Sequence, residues 1–113
     1  MIVNSGVMRD PVHPEMYYID GVVDAVIFML TGERAVMTSS VRPPTPGGSS
    51  LHPLGLARDY RTKYFIPSMQ REIAAKVREI IDDRFDVVLE GPAAPDPYYR
   101  NRVAHLHVEL DVQ

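Results

Sequence analysis

The chain contains no cysteine, which removes disulfides, zinc–thiolate centres, iron–sulfur clusters and a thiol nucleophile from consideration. Any metal it binds must be held by histidine and carboxylate. It also lacks a long lysine and arginine run, and its formal charge is −3. A protein that grips a phosphate backbone needs a basic footprint, so nucleic acid is not an expected partner. Long apolar runs are missing too. The most apolar stretch, from about Tyr17 to Leu30, is interrupted by Asp20, Gly21 and Asp24 and falls short of the roughly 20 residues that span a membrane. The opening Met-Ile-Val-Asn-Ser-Gly has no basic region leading into an apolar run, so no signal peptide or anchor is expected. The chain is then made in the cytoplasm, and an extracellular target requires export or release by another route. The compartment stays open, because a secreted chain of this length can rely on its core or on a metal in place of disulfides.

What is present describes one folded unit. The 113 residues, 45% hydrophobic and 24% charged, suit a single domain over 1–113 with one core. Met16, Ile19, Val23, Val26, Ile27 and Leu30 recur at helical spacing, with Asp20 and Asp24 opposite and Gly32 placed to stop the helix. Gly21 and the many β-branched residues work against that helix. Arg34 to Val41 reads as a strand, and the proline- and glycine-rich run from Pro43 to Ser50 as a loop. Leu56 to Arg61 is a short strand. Ile66, Met69, Ile73, Val77, Ile80 and Ile81 then form an apolar helical stripe, with Arg71, Glu72, Lys76, Arg78 and Glu79 on the other faces. Phe85 to Glu90 is a further strand, followed by a loop from Gly91 to Pro97.

The last segment, Val103 to Val112, carries the most information. Ala104, Leu106, Val108 and Leu110 alternate with His105, His107, Glu109 and Asp111, and strand side chains alternate between faces. One face is core and the other presents two histidines and a glutamate. A catalytic zinc without cysteine needs three His or carboxylate ligands and one open position for water. Of the four histidines, His13 lies between two prolines and reads as a solvated loop residue. The remaining donors come from the segment Ser50 to Asp59, where His52 precedes a turn containing Gly55 and Asp59 follows on a strand. Such a turn lets the two converge, and small Ala57, on the same strand face as Asp59, leaves room for an ion.

Ser50, His52, Gly55, Ala57 and Asp59 together spell Ser-x-His-x-x-Gly-x-Ala-x-Asp. This pattern resembles the signature of the metallopeptidases grouped around lysostaphin, the D-Ala-D-Ala peptidases and the hedgehog signalling domain. His105-Leu106-His107 resembles the His-x-His that a later strand of that family contributes, and Thr38-Ser39-Ser40-Val41-Arg42 resembles the run before its Gly-rich loop. The likeness covers roughly Arg34 to Asp111. It implies an α+β fold in which helices flank a small antiparallel sheet, as in the hedgehog and D-Ala-D-Ala-peptidase domains. It also implies that His52, Asp59 and His107 bind Zn2+, that Ser50 helps hold the substrate, and that Arg42 faces a substrate carboxylate or the developing oxyanion. His105 would be the proton shuttle. The implied activity is zinc-dependent hydrolysis of a peptide bond in bacterial peptidoglycan, in a compact form such as those carried by phages and bacteria for lysis.

The residue three before His107 is Ala104, so the Glu-x-x-His version of the family site is absent and the chain sorts with the His-x-His branch. Glu109 is the second choice as base, with orientation of His107 as its other role. Whether the peptidase is an endopeptidase or a carboxypeptidase depends on a cleft shaped by loops 43–51 and 91–100. The main alternative is a non-catalytic, zinc-stabilised module that binds wall peptide without cutting it or serves as a virion structural part; the hedgehog relatives give a non-catalytic reading its weight. A cupin-like cluster confined to His105, His107 and Glu109 is disfavoured, because cupin barrels continue for several strands beyond their His-x-His. Tyr98 and Tyr99 read as packing residues.

Overall fold

The computed structural model describes residues 1–7, 13–40, 52 and 55–111. Its elements are, in chain order, β1 (Ile2–Val3), α1 (Glu15–Thr31), β2 (Val36–Ser39), β3 (Ala57–Arg61), α2 (Pro67–Ile80), β4 (Phe85–Glu90) and β5 (His105–Leu110), with a 3-10 turn at Pro97–Tyr99. The strands form one sheet in the order β1-β2-β3-β5-β4. The architecture is therefore the expected α+β, with one correction: the sheet is mixed, not antiparallel. β1 runs parallel to β2 through the pairs Ile2↔Val36 and Val3↔Met37, while the other pairs are antiparallel. Two residues are too short to show alternation, so β1 has no sequence signature. Among the described residues no helix is long and apolar enough to cross a membrane.

Helix α1 forms despite its glycine and β-branched content because tertiary burial outweighs propensity. Met16, Ile19, Val23, Val26 and Ile27 are all buried in the core. Gly32 then ends the helix in the left-handed conformation, φ 76°, with its N–H donating to Phe28 O at 2.8 Å, the usual use of glycine just past a helix end. Asp24 stays at the surface side and accepts from Ala35 N at 3.0 Å, which ties the entry of β2 to the helix. Asp20 departs from its expected place opposite the apolar stripe. It is buried, and a buried carboxylate needs charged or hydrogen-bonded partners. Arg58 of β3 supplies them through Nε and Nη2, at 3.0 and 2.9 Å, and the Tyr60 hydroxyl donates to the same carboxylate at 2.6 Å.

Helix α2 starts with proline at its first turn and buries Gln70, Ile73, Ala74 and Val77. The expected stripe holds at Ile73, Val77 and Ile81, which are buried, and fails at Ile66 and Ile80, which are exposed. Lys76 pairs with Glu79 at 3.5 Å. On the core face of the sheet, Tyr60, Val87, Leu89, Leu106 and Val108 meet the two helices. β5 alternates strictly between half-buried and buried residues. Its odd-numbered side chains therefore lie on the sheet face away from the core, as the alternation required. Gly91, φ 108°, turns the chain out of β4, and an added Cβ would lie 2.6 Å from Ala104 Cα. That close approach brings the end of β4 against the start of β5.

Candidate metal centre

The site is assembled by register. Asp59 sits opposite His107 and Ala57 opposite Glu109 across β3 and β5, and on the other flank Glu90 sits opposite His105 and Val88 opposite His107. Directly opposed residues of an antiparallel pair share a face. Three strands therefore bring Asp59, Glu90, His105, His107 and Glu109 onto one surface, with the histidine strand in the middle. His52 joins them from the connection before β3. Its carbonyl accepts from Gly55 N at 3.0 Å, and Gly55 has φ 69°, a left-handed position suited to glycine. The expected glycine turn is present and folds His52 back over Asp59.

The donor atoms converge. His52 Nε2 lies 3.3 Å from Asp59 Oδ2, and His107 Nδ1 lies 2.8 Å from Asp59 Oδ1. The two rings stand edge to face with centroids 5.3 Å apart. One atom from each of His52, Asp59 and His107 falls within 4.8 Å of the others, and donors about 2.0–2.2 Å from a tetrahedral zinc stand roughly 3.3–3.6 Å apart. The donor set fits zinc in a further respect. Each histidine has its remaining ring nitrogen held by an acceptor: His52 Nδ1 against Ser40 O at 2.6 Å, and His107 Nε2 against Glu109 Oε1 at 2.9 Å. Such outer contacts fix ring orientation and tautomer in metal-binding histidines. Glu109 therefore holds His107 in place, the alternative to a role as base.

Charge reinforces the arrangement. Burial raises the Asp59 carboxyl, but hydrogen bonds with His107 and His52 and the charges of His105 and His52 outweigh it and hold Asp59 well below the usual carboxylate range. Burial lowers His107, yet Asp59 and Glu109 more than offset this, so its pKa stands above the ordinary histidine value. Carboxylates face both ring nitrogens, which favours the protonated imidazole in the metal-free protein. A raised histidine pKa contributes stability in full below its unfolded value near 6.5, and that contribution is lost as pH rises through the raised value. The Asp59 contribution is complete above about pH 4 and is lost only in acid. A bound metal reverses the alkaline trend, because it needs His107 deprotonated. Thermal unfolding in EDTA should therefore show Tm falling as pH rises from 6.5 to 9, and zinc should turn that fall into a rise; parallel profiles with and without zinc would contradict the site.

Of the other expected site residues, His105 lies on the same face, its Nε2 3.5 Å from Asp59 Oδ1. Arg42, Ser50 and the loop at 43–51 fall outside the described residues. His13 is exposed, as expected. Tyr98 and Tyr99 do not enter a strand but form the 3-10 turn, where Tyr98 is exposed and Arg102 stacks near both rings. Two features escaped the sequence reading. Glu90 is only 5% exposed and lies 3.3 Å from His105 Nε2; its alternation with Val88 was visible, but its register against β5 was not. The second is a chain of contacts behind His52. Asp20 grips Arg58, Arg58 Nη1 donates to Ser40 Oγ, and Ser40 O receives His52 Nδ1. The register between β2 and β3 shifts between Met37 and Ser39, and bulges of this kind redirect the chain beside functional sites.

At the β4 edge of the site, a groove of about 380 Å³ runs between Glu109, Asp86, Val88 and Tyr99. The fold and site together define a small α+β domain with a candidate His–Asp–His metal centre on the outer face of its sheet. Comparison with protein-family models, with curated proteins and with solved structures finds no match to this chain.

Proposed function

We propose that this protein is a zinc-dependent peptidase that hydrolyses a peptide bond of bacterial peptidoglycan, in a stem peptide or a cross-link. The observation that carries the reading is the convergence of His52 Nε2, His107 Nδ1 and the Asp59 carboxylate, each histidine fixed from behind. The Ser-x-His-x-x-Gly-x-Ala-x-Asp and His-x-His patterns connect that donor set to the lysostaphin, D-Ala-D-Ala-peptidase and hedgehog group. They supply the choice of substrate.

Bound there, zinc supplies a Lewis acid and a water whose pKa falls from about 15.7 to about 7. His52, Asp59 and His107 would hold it. His105 Nε2, 3.5 Å from Asp59 Oδ1, would take a proton from water and return it to the leaving amine. Glu109 keeps the His107 ring in the ligating orientation and is not needed as base. Arg42 would meet a substrate carboxylate or the oxyanion, and Ser50 the substrate backbone. The groove beside Glu109 and Tyr99 gives an extended peptide a place to lie.

Metal analysis of the purified protein combined with digestion of purified peptidoglycan tests this. The wild type should carry one tightly held zinc and release peptide fragments whose masses name the bond. His105→Ala should keep that zinc and lose about 10²- to 10⁴-fold in turnover, the range for a positioned histidine. Zinc bound without cleavage of any wall substrate would favour a non-catalytic, zinc-stabilised wall-binding module instead.

A further inference from the structure

Glu90 has no task in the reaction outlined above, yet it is as deeply buried as Asp59 and stands among ligating atoms. Its Oε2 is 3.3 Å from His105 Nε2, and His105 Nε2 is 3.5 Å from Asp59 Oδ1. These separations match the roughly 3.3–3.6 Å expected between donors of a tetrahedral zinc. Donor atoms of Glu90, His105 and His107 also lie within 4.8 Å of one another. His107, however, is committed on both sides, with Nδ1 toward Asp59 and Nε2 toward Glu109. The third donor on this flank is therefore Asp59 Oδ1. The Asp59 carboxylate faces two ways, with Oδ2 toward His52 and Oδ1 toward His107 and His105.

We propose that Glu90, His105 and Asp59 form a second divalent-cation subsite, joined to the His52–Asp59–His107 centre through the Asp59 carboxylate. The inference rests on the reading of that centre as a zinc site. Carboxylate-linked ions in two-metal sites stand about 3.5–4 Å apart, a spacing one shared carboxylate spans. The second subsite is the weaker of the two, because it already has a resident cation: Arg102 Nη1 lies 3.2 Å from Glu90 Oε2. Arg102 reaches in from the exposed rim, where its guanidinium is near the Tyr98 and Tyr99 rings. A metal ion must displace it from Oε2. Occupancy ties up His105 Nε2, so excess zinc should slow the peptidase by withdrawing its proton carrier.

The test is a titration of the dialysed protein with Zn2+ by calorimetry, with bound metal counted after gel filtration. Wild type should take two ions, one tight and one weaker. Glu90→Gln should keep the tight ion unchanged and weaken the second by at least about 100-fold, the upper range for lost outer-shell contacts being exceeded when a direct donor is removed. His105→Ala should lose the same second ion, and Arg102→Ala should bind it several-fold more tightly. Circular dichroism and Tm in EDTA establish that each variant is folded. Saturation of wild type at one ion overturns the second subsite and leaves the first intact, and so does a Glu90→Gln protein that still takes two. A wild type holding only a weak, Glu90-dependent ion that His52→Ala retains supports the subsite and rejects the His52–Asp59–His107 reading.

Discussion

Replacing His107 by alanine is expected to abolish tight zinc binding and wall-peptide hydrolysis together. His107 is the hinge of the cluster: its Nδ1 faces Asp59 at 2.8 Å and its Nε2 faces Glu109 at 2.9 Å. Loss of an outer contact to a ligating histidine already costs about 10- to 100-fold in metal affinity, so loss of the donor itself should cost more than about 100-fold. Activity should fall to the level of the metal-free protein at any zinc concentration below saturation of the damaged site. The fold should survive, because His107 is on the outer face of the sheet and the core residues Leu106 and Val108 on either side are untouched. Removal of the imidazole also takes a hydrogen-bond partner from both Asp59 and Glu109, so Tm in EDTA should drop slightly. The decisive comparison is with His105→Ala, which should keep zinc. Equal zinc content in the two variants would place the ligands elsewhere.

The largest effect on stability should come from Arg58. Its side chain is fully buried and makes a two-armed contact with Asp20, at 3.0 and 2.9 Å, that joins α1 to β3. A buried pair of this kind is weak evidence of net stabilisation, since desolvation of two charges nearly offsets their attraction, but removing one partner strands the other. Arg58→Ala should therefore cost about 3–5 kcal/mol, a large part of the roughly 5–15 kcal/mol that holds a domain together. Tm in EDTA should fall by more than about 10 °C. The Tyr60 hydroxyl, raised well above its ordinary pKa by burial and by the Asp20 charge, cannot ionise to adapt and still donates to a carboxylate left without its cation. Asp20→Asn combined with Arg58→Met removes both charges and keeps an acceptor for Tyr60, so the double variant should recover part of the loss. A shift of under about 2 °C in Arg58→Ala would mean the pair is not formed in solution. Because Arg58 also holds Ser40, which holds His52, zinc affinity should weaken in any Arg58 variant that still folds.

Which side chains belong to the site was legible for a specific reason. On β5 a period of two separates His105, His107 and Glu109 from Leu106, Val108 and Leu110 without knowledge of any partner strand. On β3 the same rule put Ala57 and Asp59 together, and Gly55 marked the turn that returns His52. The helices were legible through their apolar stripes, with errors at Ile66, Ile80 and Asp20. Those errors share a cause: periodicity reports how hydrophobic a face is, not what stands opposite it. Asp20 looks solvent-facing until Arg58 and Tyr60 are known to meet it.

The amino-acid sequence by itself determined the element types of the two helices and four of the five described strands, the core-facing half of β5, and a cysteine-free candidate donor set of histidine and carboxylate. Those properties are local, set by neighbours a few residues away. Only the tertiary structure decided strand order, the parallel pairing of β1, the register that sets Glu90 against His105, and the line from Asp20 through Arg58 and Ser40 to His52. A register slip of one residue would move every side chain of a strand to the other face. Such pairing is fixed by the burial of whole faces against one another, a property of the assembled core and of no single segment.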